Sequence, residues 1–157
     1  MPATTFSDDY EQRLLENIAR FGWQATHVFS EEDGEPEFSY TVGLHQSFGF
    51  PELILIGLPS KIAHSVLNIA AKAADAGTPL NLEEPTDALF EGYPAVFVEV
   101  PRSCYAEYVG SCLWYYQGEN FPLYQVVWPS SDGKFPWHPE APESFTSGQP
   151  VLGVPKE

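Results

Sequence analysis

Histidine and glutamate stand at the two ends of one short segment, His45-Gln46-Ser47-Phe48-Gly49-Phe50-Pro51-Glu52, and are the residues of this chain best placed to do chemistry. An imidazole and a carboxylate make an acid-base pair if the ends of the segment converge. Otherwise His45 closes one strand and Glu52 opens the next, both half exposed, with Phe48 and Phe50 folded back over the core. A second set lies in the last third, where Gln125-Val126-Val127-Trp128-Pro129 precedes Asp132-Gly133-Lys134-Phe135-Pro136-Trp137-His138. Two indoles on either side of a Pro/Gly turn can clamp a planar ligand or a peptide, and Gln125 adds an amide that both donates and accepts. Plugging the end of a barrel is the other use of such rings. The expected ligand-binding surface therefore joins Tyr40, His45 and Glu52 to Gln125, Trp128 and Trp137, which requires the two parts of the chain to lie side by side.

Other chemistries lack their residues. His27, His45, His64 and His138 form no pair at ligand spacing, so no metal site is expected. Gly-x-Ser-x-Gly is absent; Gly110-Ser111-Cys112 lacks the second glycine and falls in an expected helix. The chain has neither a phosphate-binding loop of the Gly-Lys-Ser/Thr type nor Gly-x-Gly-x-x-Gly, which removes support for a nucleotide cofactor. Cys104 and Cys112 lie eight positions apart, about 12 Å along a helix, and are expected as reduced thiols. No catalytic residue is assigned, and whether the protein is an enzyme stays open.

Composition narrows the partners. The 157 residues, 43% hydrophobic and 15% aromatic, suffice for one core, and a single domain over residues 8–153 with a tail at 154–157 is expected. Seven basic against 22 acidic residues give a net charge of -15, which repels nucleic acid and anionic membranes alike. The acids gather at Glu31-Glu32-Asp33 with Glu35 and Glu37, at Glu83-Glu84 with Asp87, and at Glu140 and Glu143. They serve either solubility or a basic partner. No apolar run approaches the roughly 20 residues of a membrane span, and Met1-Pro2-Ala3-Thr4-Thr5 does not start a signal segment, so a cytoplasmic location is expected.

The elements that must hold these residues can be read from period and punctuation. Asp8 and Glu11 have capping-box spacing ahead of Leu14, Leu15, Ile18, Ala19 and Phe21, and Gly22 stops that helix. Residues 23–29 and 38–44 read as strands of a hairpin turned at Asp33-Gly34. A third strand covers 53–58. Pro59-Ser60 then opens a helix whose apolar stripe is Ile62, Ala63, Val66, Leu67, Ala70 and Ala73, ending at Gly77. Its opposite, polar face suggests a sheet with one side wet. Residues 79–85 read as a short edge strand, 95–100 as a strand closed by Pro101, 103–117 as a third helix and 122–128 as the last strand, followed by an extended tail. The fold class is α+β: a curved, mostly antiparallel sheet or split β-barrel with about three flanking helices, placed on one side.

Tyr40-Thr41-Val42-Gly43-Leu44, Pro51-Glu52-Leu53 with Gly57-Leu58, Gln125-Val126-Val127-Trp128-Pro129 and Gly133-Lys134-Phe135-Pro136-Trp137 occur in an order that resembles a family of small bacterial proteins catalogued as a domain of unknown function. The resemblance runs over about residues 17–153. It implies no activity. An acid often follows the Trp-Pro pair in that family, whereas Ser130 stands there in this chain and Asp132 comes later. The layout also resembles flavin-binding split barrels, in which basic and hydroxyl groups hold the flavin phosphate; Arg102, Lys61 and Lys72 are the cations this chain offers for that. The reading favoured on these grounds is a non-covalent binding module for a small molecule or a protein partner. Its alternatives are a flavin-associated enzyme of the split-barrel type and an acidic protein that neutralises a basic partner.

Overall fold

The computed structural model describes residues 2–29 and 36–155. The expected Asp33-Gly34 turn and the acids Glu31, Glu32, Asp33 and Glu35 lie outside the described residues, as do the last two residues of the expected tail. Helix α1 (Asp9–Phe21) starts as its sequence dictates: the Asp8 carboxylate accepts from the Glu11 N–H at 2.8 Å, and Glu11 reaches back to accept from the Ser7 N–H. Strands β1 (Gln24–Val28) and β2 (Phe38–Val42) pair antiparallel, and β2 pairs antiparallel with β3 (Glu52–Ile56). The segment between β2 and β3, expected as a loop, contains a short helix α2 (Leu44–Phe48).

After α3 (Ser60–Asp75), β4 (Thr86–Phe90) and β5 (Tyr93–Glu99) form an antiparallel pair, and β6 (Leu123–Val127) inserts between β5 and β3. The strand order is β1-β2-β3-β6-β5-β4, with β6 parallel to β3 and every other neighbouring pair antiparallel. The α+β class and the mostly antiparallel sheet are as expected. The barrel version is not: β1 and β4 stand at opposite ends of the order, and the sheet does not close. The edge strand falls on Thr86–Phe90, downstream of the expected 79–85.

Helices cover both faces, which corrects the expectation of one wet side. Every residue of β3 is buried, the pattern of a strand covered above and below. Leu53 and Leu55 pack with Ala63, Val66, Leu67, Ala70, Ala71 and Ala74 of α3, whose small side chains let the helix lie close to the sheet. Ile54 and Ile56 point the other way, as the two-residue period requires, into Leu14 and Ile18 of α1 and an aromatic layer containing Tyr105, Tyr116 and Phe121. On α3 the stripe is rotated from the expected one, leaving Ile62 exposed.

The helix expected over 103–117 is broken. A 3-10 turn at Arg102–Cys104 leads into α4 (Tyr105–Tyr108), and Val109, at φ -119° and ψ 53°, separates it from α5 (Gly110–Tyr116). A β-branched residue followed by glycine is weak helix sequence. The Tyr40 hydroxyl accepts from the freed Ser111 N–H at 3.1 Å. Cys104 and Cys112 are free thiols, the latter buried and donating to the Thr41 carbonyl. The tail is not simply extended: it forms α6 (Glu143–Gly148) and then returns to the sheet. No helix among the described residues is long and apolar enough to cross a membrane.

Burial pushes up the phenols of Tyr40, Tyr105, Tyr115 and Tyr116, Tyr40 to about 12. Because these folded-state values lie above the ordinary value of about 10, their stabilisation is complete below about pH 10 and is lost as pH rises through the folded values. An alkaline titration should therefore show tyrosinate absorbance rising together with loss of the near-ultraviolet circular dichroism. Complete ionisation of all tyrosines with that signal intact would contradict it.

Candidate functional site

Glu52, the first residue of β3, is fully buried, and its carboxylate is surrounded by donors. Oε1 accepts from the Thr41 hydroxyl at 2.7 Å and the Leu44 N–H at 3.2 Å. Oε2 accepts from the Gly43 and His45 N–H groups, each at 3.1 Å, and from the Tyr116 hydroxyl. Gly43, at φ 109°, sits in the left-handed region, where a side chain would be strained and its Cβ would press on the Gly22 carbonyl. The N–H groups that the first turn of α2 leaves unpaired thus converge on one carboxylate supplied by the neighbouring strand. Burial raises the Glu52 pKa above the ordinary carboxylate range, opposed first by the Tyr116 and Thr41 hydroxyls and then by the backbone donors.

The same hydroxyls also accept. Tyr116 takes the Gln46 N–H at 3.2 Å, and Thr41 takes the Leu53 N–H at 2.9 Å. The ends of the His45 to Glu52 segment therefore do converge, but Glu52 meets the backbone of His45. Glu52, with its acceptor capacity spent inside the fold, is a positioning group.

His45 lines a cleft of about 720 Å³. Its walls are the end of β5 with the turn after it (Glu99, Arg102), the approach to β6 (Asn120, Phe121) and the returning tail (Leu152, Val154). His45 Nδ1 is buried without a hydrogen-bond partner, and its ring stands edge-on to Tyr116 with centroids 6.0 Å apart. Arg102 and Glu99 make no ion pair among the described residues. Both nevertheless act on one point: against burial, which raises the Tyr105 phenol, the Arg102 charge lowers it and the Glu99 charge raises it.

The wall made by the tail is fastened from within. Gln125 Nε2 donates to the Pro150 carbonyl at 2.8 Å, and Gln125 Oε1 accepts from the Leu152 N–H at 2.9 Å. Gln149 grips Trp128 in the same way, accepting its N–H at 3.1 Å and donating to its carbonyl at 3.0 Å. At Gly153 a Cβ would overlap the Glu99 carbonyl, so the strap lies flat on β5 only with glycine there.

The six residues expected to form one recognition surface are dispersed, and His45 alone of them lines this cleft. Tyr40 is 3% exposed and packs in the α1 layer; Glu52 and Gln125 are buried and committed to backbone groups. Trp128 packs beside Phe90, while Trp137, 41% exposed, stacks on Phe135. The separation follows from register. Glu52 is level with Leu123 in the parallel β3/β6 pair, so Trp128 stands five residues, about 16 Å, further along the sheet than the end that carries His45. Asn120, Glu99 and the strap entered no expectation of a site, and Arg102, one of only seven basic residues, entered only as a cation for a flavin phosphate, although it follows a strand-ending Val-Pro pair. Cys112, the buried thiol nearest this network, is no nucleophile: burial and then the Glu52 charge push its pKa well up. Among the described residues no three His, Cys, Asp or Glu side chains gather as metal ligands.

A family model described as Domain of unknown function (DUF4262) matches residues 17–142. No curated protein and no solved structure matches the chain.

Glutamine at position 52 would offer one acceptor oxygen to donors that now share two, and would add an N–H₂ facing them. Glu52→Gln is expected to lower stability by about 3 kcal/mol, measured by urea denaturation. Gln125→Leu keeps the bulk but abandons both strap contacts. Amide exchange at Leu152 and its neighbours should accelerate while the exchange of β3 stays slow.

Proposed function

This chain belongs to the DUF4262 family, a domain of unknown function, and we propose that it is a non-covalent binding module whose ligand, a small polar molecule, occupies the cleft at His45. The observation that carries this reading is the buried, unpartnered Nδ1 of His45 in the wall of a cleft that also presents Arg102 and Asn120. A buried polar atom without a partner costs about 1–3 kcal/mol, a cost that a ligand offering a hydrogen bond would offset. The cavity volume lies in the range of small-molecule sites.

Preorganisation supports the same conclusion. The Glu52 carboxylate fixes the backbone at Gly43, Leu44 and His45, and Tyr116 fixes that at Gln46, so the imidazole is mounted on an ordered turn before a ligand arrives. Catalysis has less behind it. The Glu52 carboxylate is consumed by the fold, and burial holds the Cys112 thiol protonated.

Native mass spectrometry of the protein purified from its own host, with His45→Ala and Arg102→Ala purified alongside, tests this. A bound small molecule should be present in the parent protein and reduced at least about tenfold in both variants, with unfolding temperatures changed by no more than about 3 °C. A molecule retained equally by all three proteins, or none in the parent, would overturn the assignment of the cleft.

A further inference from the structure

The cleft holds two opposite charges that do not satisfy one another. Arg102 and Glu99 both line it, lie on either side of Val100-Pro101, and make no ion pair among the described residues. Their common influence on the Tyr105 phenol places both within electrostatic reach of the same point on the wall. The cleft also has apolar lining, Leu152 and Val154 from the strap, backed by the nearly buried Val100 and Phe121. Asn120 and His45 add an amide and an imidazole.

We infer that the cleft takes a zwitterion, a free amino acid with an apolar side chain, its carboxylate on Arg102 and its ammonium on Glu99. This rests on the binding reading above and specifies the ligand class. A guanidinium offers a planar fork that matches a carboxylate, and an exposed carboxylate accepts readily from an ammonium. The charge of the whole molecule argues the same way. At -15, the protein repels a simple anion before it reaches Arg102, whereas a ligand of zero net charge meets no such barrier. A simple cation would be drawn in but would leave Arg102 facing a like charge. An apolar side chain suits the Leu152 and Val154 surface of the strap.

The test is a nitrogen-15 chemical-shift titration of the full chain with three probes that share one side chain: L-leucine, N-acetyl-L-leucine, which lacks the ammonium, and L-leucinamide, which lacks the carboxylate. It is run at about 0.15 M salt so that long-range attraction does not decide the order. L-Leucine should shift the amides of Val100, Arg102, Asn120 and Phe121, and each blocked probe should bind at least about tenfold more weakly. Glu99→Gln should abolish the preference for L-leucine over its N-acetyl derivative, and Arg102→Gln the preference over the amide. Equal binding of either blocked probe, or no shift at these residues with any of the three, would overturn the zwitterion. If that happens while a molecule retained from the host is still lost in His45→Ala, only the ligand class falls. If no host molecule depends on His45, the cleft itself is refuted.

Discussion

A fully desolvated carboxylate is an expensive thing to place in a protein interior, and Glu52 is tolerated because donors from three other parts of the chain surround it. The Thr41 hydroxyl comes from β2, the N–H groups of Gly43, Leu44 and His45 from the turn into α2, and the Tyr116 hydroxyl from α5, while Glu52 itself belongs to β3. One side chain therefore ties two strands and two helices at a single end of the sheet. Remove the charge and the turn that carries His45 loses what holds it. Remove the turn and the buried charge keeps only the Thr41 and Tyr116 hydroxyls.

The sheet adds a second constraint. Because β6 runs parallel to β3 between two antiparallel halves, residues on either strand are ordered along a common direction, and the two ends of the sheet acquire different chemistry. The end at Glu52 carries the cleft. The opposite end carries Trp128, fastened to Gln149 and packed beside Phe90. Gln125 lies midway, on the α1 side of β6 and level with Ile54, where a polar amide would otherwise be buried without partners. The chain from Gln149 to Gly153 resolves this by passing its own backbone over that amide, and in doing so supplies one wall of the cleft.

Much of the framework was legible in the residues. Alternation and punctuation located β1, β2, β3, β5 and β6, and the capping spacing of Asp8 and Glu11 located α1. What escaped depended on partners distant in the chain. The buried pattern of β3 fits one covered face or two until the aromatic layer from α4 and α5 is in place. The break at Val109 is favoured by local sequence but completed by the Tyr40 hydroxyl, 71 residues from its partner Ser111. Gln125 and Glu52 were expected to bind a ligand, yet both bind this chain's own backbone, because a buried polar side chain in an apolar strand serves whatever main-chain donors and acceptors the fold brings to it. Of the expected surface the cleft retains His45, and its other polar groups lie in turns whose neighbours only the topology reveals.

The Glu52 network has a consequence for how such a protein would be misread. A survey that replaced every acidic residue and scored loss of function would pick this one out, and its place beside His45 would invite a proton-transfer scheme. The deficit would be one of architecture: altered shape around an intact set of contacting groups, recoverable in principle by any change that restores the turn, and unrelated to the transfer of a proton.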